Sequence, residues 1–148
     1  MNTILHCGKL FDAADDHVRG NMAVLVAEDR VHHVAPLEEA ANWKGEVIDL
    51  LDKFVMPGLI DAHVHVCADG KGGFGNAETL VCTCMIDAME RAQADLRAGF
   101  TTVRDEGAQN FIDVSLRDAI NEGRIQGPRM LVSGLCLGAT GGHADTHF

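Results

Sequence analysis

No stretch of this 148-residue chain is long and apolar enough to span a bilayer, so no membrane-crossing helix is expected in it. The N-terminus, MNTILHCGKLFDAADD, lacks the basic start and sustained apolar run of a secretory signal, and the expected location is the cytoplasm. Basic residues are scarce: 12 Lys and Arg stand against 22 Asp and Glu, a net charge of -10 that repels a phosphate backbone. Nucleic acid and anionic membrane are therefore not expected partners. The five cysteines, Cys7, Cys67, Cys82, Cys84 and Cys136, are odd in number and contain no C-x-x-C pair, which argues against a disulfide framework and fits a reducing compartment. Cys82 and Cys84 lie in a helical pattern, where residues two apart point in different directions, so they read as packed thiols rather than a metal pair. No segment repeats. No G-x-x-x-x-G-K-[ST] loop is present to cradle a phosphate, although GKGGFG at 70–75 is a flexible loop by composition.

What is present, 47% hydrophobic and 23% charged residues, is the composition of a folded protein with one sizeable core. Residues 1–53 read as short strands, TILHC, AVLVA, RVHHVA and EVIDL, with Glu28 and Asp29 where a tight hairpin turn falls. From Phe54 the texture becomes strand, helix, strand, helix, strand, the alternation of a parallel α/β sheet, and residues 54–148 form a second region. The spacing of Val81, Met85, Ala88, Met89, Ala92 and Leu96 predicts a helix over about 77–98, stopped by Gly99. A second helix over about 110–122 carries Ile112, Leu116, Ala119 and Ile120 on one face and ends at Gly123. FTTVRD at 100–105 and RMLVSGLCL at 129–137 are the accompanying strands.

The chemistry sits in VMPGLIDAHVHV, residues 55–66. In an extended strand Asp61, His63 and His65 share one face, with Ala62, Val64 and Val66 on the other. Two imidazoles facing the interior of a parallel barrel cost desolvation unless something partners them. A divalent cation does so, because histidines two apart on a strand have Cα atoms roughly 7 Å apart, within reach of one metal. Asp61, one step deeper on that face, is placed to orient a ligand as an outer partner. An H-x-H string is common by chance, and its weight here comes from its setting, after Pro57 and Gly58 at the carboxyl end of a strand that leads to a glycine-rich loop and a helix.

That string, followed by AGFTTVRDEG at 98–107, GPRMLVSGLCL at 127–137 and TGGHAD at 140–145, resembles the metal-dependent amidohydrolase superfamily, in the branch of imidazolonepropionase-like proteins and Xaa-Pro dipeptidases. The resemblance implies a (β/α)8 barrel flanked by a small β-sandwich, to which residues 1–53 correspond. It also implies divalent metal, usually zinc, activating a water that attacks an amide, cyclic amide or Xaa-Pro dipeptide bond. It makes His63 and His65 ligands of the first metal and sets His143 near the substrate, a small amide or dipeptide.

A complete barrel takes about 250 residues, and the 95 residues from Phe54 onward supply about three βα units. The family's later-strand lysine, two further histidines and last-strand aspartate have no counterparts here: the lysines are Lys9, Lys44, Lys53 and Lys71. A half-built site, inactive alone, is the expectation, with an open sheet edge available to an oligomer or a complementing chain. The alternative is a non-catalytic remnant that binds metal weakly or associates with a full-length relative. Arg104, Asp105 and Glu106 end the second strand, where a structural role is favoured over substrate contact. His32 and His33 face opposite sides of a strand, and His6 and His17 read as exposed or locally bonded residues.

Overall fold

The computed structural model describes residues 2–68 and 80–142. The chain divides into two compact units, Met1–Pro57 and Gly58–Phe148. In the first, strands β1 (Thr3–Leu10), β2 (Arg19–Ala27), β3 (Arg30–Pro36) and β4 (Glu46–Val55) form one mixed sheet in the order β3-β2-β1-β4. β1 runs antiparallel to β2 and parallel to β4. The turn between β2 and β3 falls at Glu28 and Asp29, whose φ angles of 51° and 63° are the left-handed values a two-residue hairpin turn of matching twist requires. Period-two alternation along β2 sends Met22 and Val24 into a cluster with Cys7 and Leu10, and Ala23 to the opposite face with Ile4 and Ala40. Both faces of this sheet are therefore apolar. β4 runs past EVIDL to Val55, because a register shift lets Phe54 and Val55 pair with Lys9 and Leu10.

The second unit contains β5 (Leu59–Val64), α1 (Val81–Arg97), β6 (Phe100–Asp105), α2 (Ile112–Asn121) and β7 (Arg129–Val132). The strands are parallel and in chain order β5-β6-β7, so the expected strand and helix alternation is what forms. On α1 the small residues Ala88 and Ala92, one turn apart, lie fully buried, with Met85 and Met89 packed beside them. Cys84 is buried but Cys82 is exposed, so only one of the two is the packed thiol expected, because positions 200° apart on a helix cannot both face the core. α2 contributes Ile112 and Leu116 to the same core, with Val103 of β6 and Met130 of β7, and its Ala119 is also buried. Gly123 closes α2 in the left-handed conformation (φ 71°), where its N–H donates to the Ile120 carbonyl and the Arg124 N–H to that of Ala119.

In the second unit three further boundaries differ from the sequence reading. β5 spans Leu59–Val64 rather than 55–66, since Phe54 and Val55 belong to β4 and a turn closed by the Ala68 N–H on the His65 carbonyl follows Val64. α2 begins at Ile112, two residues later than expected, because Asn110 and Phe111 take left-handed backbone in the short 3-10 turn before it. β7 stops at Val132: the Ser133 N–H donates to the Asp105 carbonyl and the Gly134 N–H to the Asp113 carboxylate, which turns the chain off the ladder. Residues 70–75 and the first turn expected for α1 lie outside the described residues. Among the described residues no helix is long and apolar enough to cross a membrane.

Candidate metal centre

β5 ends at the carboxyl edge of the parallel sheet, and there the imidazoles of His63 and His65 meet edge to face, with centroids 5.2 Å apart and planes at 78°. Two imidazoles bound through nitrogen to one tetrahedral ion, at about 2.1 Å per bond, place their centroids roughly 5 Å apart, so this spacing fits a shared divalent cation. His65 is held at Nδ1 by the Gly107 carbonyl, 3.1 Å away. With Nδ1 the donor in that bond, the neutral ring carries its lone pair on Nε2, the arrangement by which proteins usually aim a ligating histidine.

Asp61 touches its neighbour through the main chain: its Oδ1 accepts the His63 N–H at 3.0 Å, beside a register irregularity between Asp61 and Val64 in the pairing of β5 with β6. The carboxylate thus shapes the strand from which the His63 ring projects. On α1, Asp95 has its carboxyl pushed up, first by burial and then by the charge of Asp61. His143 lies outside the described residues.

Behind the two rings lies a buried polar layer. Asp105 ends β6 with 1% of its surface exposed, and its Oδ2 accepts the Val66 N–H at 2.7 Å while Oδ1 accepts the Gly107 N–H at 2.8 Å. Burial raises its carboxyl, the two backbone donors oppose that shift, and the nearby Asp113 adds to it. Arg91 of α1 donates from Nη1 to the Val66 carbonyl at 2.9 Å. Asp113 is fully buried and accepts the Gly134 N–H. Arg104 of β6 donates to the Ala62 carbonyl of β5 at 2.8 Å, which ties the two strands, and it also pairs with Glu106.

The Cys67 thiol, buried two residues after His65, is pushed up to about 12 by burial first and by Asp105 next. An ordinary thiol ionises at about 8.5, so above that pH the unfolded chain binds fewer protons than the folded one. The stability contributed by the protonated thiol is complete below about 8.5 and falls as pH rises toward 12. Urea midpoints should drop between neutral pH and about pH 10, and drop less in Cys67→Ala; identical slopes in the two proteins would contradict this.

Among the described residues, the one group of three or more His, Cys, Asp or Glu side chains whose ligand atoms converge within 4.8 Å is Asp15, Asp16 and His17, all exposed, in the loop before β2. Its members satisfy one another: the His17 ring lies 3.1 Å from Asp16, and the His17 N–H donates to Asp15. His33 packs edge-on against Trp43, with centroids 5.5 Å apart, so its ring has a structural neighbour.

A parallel sheet flanked by helices, with an H-x-H pair at the carboxyl end of its leading strand, defines the class. The chain belongs to the amidohydrolase family, whose family model matches residues 54–147. Among solved structures, a Xaa-Pro dipeptidase with methionine bound in its active site is 33% identical, with 98% of this chain and 36% of that one covered and a TM-score of 0.87. A prolidase complexed with N-methylphosphonate-L-proline is 34% identical over 97% of this chain and 34% of that one, with a TM-score of 0.83. A molinate hydrolase is 25% identical over 92% and 30% of the two chains, with a TM-score of 0.79. The chain spans about a third of the length of these relatives. No curated protein sequence matches it. The dipeptidase and prolidase neighbours agree with the resemblance read from the four sequence strings.

Proposed function

We propose that this chain carries the opening part of the metal site of a C–N bond hydrolase, whose substrate is a small amide or an Xaa-Pro dipeptide. The observation that carries the reading is the His63 and His65 pair, 5.2 Å apart with His65 oriented through Nδ1, at the end of a parallel strand where barrel enzymes place their sites. Dipeptidase and prolidase neighbours with amino-acid or proline-based ligands favour the dipeptide. In this reading β5, β6 and β7, with α1 and α2, are the first strands and helices of a (β/α)8 barrel. β5 and β7 each pair on one side only among the described residues, as strands awaiting barrel neighbours do. The apolar faces of the N-terminal sheet suit one layer of a β-sandwich.

His63 and His65 would hold the ion, imidazole being compatible with zinc among other divalent metals. When bound, such an ion supplies Lewis acidity that polarises a scissile carbonyl. The chain's own part is positional: Asp61 shapes the strand beneath His63, and the Gly107 carbonyl keeps the Nδ1 proton of His65 in place. His143 is assigned to the substrate side by resemblance alone. Two neutral donors hold a divalent ion weakly, and the reading expects no turnover until further donors are supplied.

The test combines the chain, in zinc, with a polypeptide supplying the remaining barrel strands of a relative, and follows Xaa-Pro dipeptide hydrolysis. Wild type should gain activity and the His63→Ala, His65→Ala double variant should not. Equal turnover by both would contradict the reading.

A further inference from the structure

We propose that Asp105 is a positioning residue for the His65 ligand, clamping the two backbone segments between which that imidazole is hung. The inference rests on the reading of His63 and His65 as metal donors and extends it to a residue on a different strand. Asp105 spends one oxygen on each segment: Oδ2 takes the N–H of Val66, the residue following His65, and Oδ1 takes the N–H of Gly107, whose carbonyl holds the His65 ring. One buried carboxylate thus fixes both ends of the lever, the main chain that carries the ring and the carbonyl that sets its tautomer. The clamp is braced from behind by Arg91, which takes the Val66 carbonyl, so the peptide groups on either side of Val66 are both tied.

The local backbone shows why the clamp is needed. Gly107 adopts φ 140°, and a Cβ there would lie 2.2 Å from the Cys136 sulfur, so the loop holding the carbonyl follows a path other residues resist. A loop of that kind is held by what binds its amide, and Asp105 binds it. Alternation along FTTVRD turns Asp105 to the same side as buried Val103, a carboxylate on a core face, which is costly unless its oxygens are satisfied. The two amide donors satisfy them. A carboxylate accepts at both oxygens, whereas the isosteric amide turns an NH2 toward one of the two N–H donors, so Asp105→Asn releases one segment while keeping the volume.

The experiment reads the imidazole directly. Long-range nitrogen–proton NMR on the 148-residue chain, without metal, reports the His65 tautomer. The expected result is Nδ1–H in wild type, a mixture in Asp105→Asn, and no change in Asp113→Asn, an equally buried control that holds Gly134 instead. Zinc titration of the same proteins should show affinity about 10- to 100-fold weaker in Asp105→Asn, the usual cost of losing an outer partner of a ligand. An unchanged tautomer and unchanged zinc affinity in folded Asp105→Asn would overturn the proposal while leaving the metal site standing. A tautomer that shifts in a chain whose wild type binds no zinc at His63 and His65 would instead remove the metal reading and keep the clamp. Should Asp105→Asn not fold, wild type decides: slow exchange of the Val66 and Gly107 amides with Nδ1–H on His65 supports the clamp, and the opposite tautomer or fast exchange overturns it.

Discussion

Leu116→Ala is expected to lower the stability of the second unit by about 2–5 kcal/mol, the cost of emptying a fully enclosed leucine site. Leu116 lies on the inner face of α2 with no exposed surface, in the core formed with Val103, Ala88 and Met130. Ala88 and Ala92 in that core have no side chains to swing into the vacated space, while Met130 and the methionines packed beside it can relax partly toward it, so the cost falls within that range rather than at its top. Both α-helices lie in this unit, and the helical far-ultraviolet signal therefore reports its unfolding, whereas the single tryptophan, Trp43, belongs to the first unit. The helical transition should move down by well over 10 °C, since about 1 kcal/mol shifts a domain of this size by roughly 4–8 °C. Leu137→Ala, at a side chain 98% exposed, should stay within about 0.5 kcal/mol of wild type. Equal effects of the two substitutions would mean that α2 does not pack as described.

The second large effect is the loss of metal on removal of either imidazole. Outer partners of a ligand cost about 10- to 100-fold in affinity, so deleting a donor atom from a pair should cost at least roughly a hundredfold. With only two donors in the wild-type pair, His63→Ala and His65→Ala should each abolish saturable zinc binding, measured by calorimetry. The exposed Asp15, Asp16 and His17 loop supplies the internal control. If His17→Ala removed the binding and the two strand variants kept it, the ion would belong to the loop and the candidate centre would lie elsewhere.

The elements around the candidate site were largely legible before the structure, and for a physical reason. Helices of 17 and 10 residues with apolar stripes and a glycine just after each C-terminus announce themselves by period and stop signal together. β6 matched FTTVRD because Gly99 closes the helix before it and, after it, the Gly107 N–H folds back onto the Asp105 carboxylate. β7 was legible only at its start. RMLVSGLCL is apolar throughout, and what ends the strand is the capture of the Gly134 amide by Asp113, a residue on another element that no local pattern reveals. The H-x-H string was legible as a motif, and its two rings do come within 5.2 Å of each other, although His65 falls one residue beyond β5. The device that aims His65 was not, because its acceptor is a main-chain carbonyl 42 residues away. Asp105 left one readable trace, a carboxylate in register with Val103, although a short strand with charged residues on both faces does not by itself say which face is buried.

The most direct measurement follows the imidazole nitrogens of the wild-type chain by NMR while zinc is added. The expected result is that Nε2 of His65 and one ring nitrogen of His63 move together and saturate at one ion per chain, with Nδ1 of His65 still protonated. Saturation at His17 with both strand histidines unmoved, or independent titration of the two rings, would contradict a shared metal site on β5.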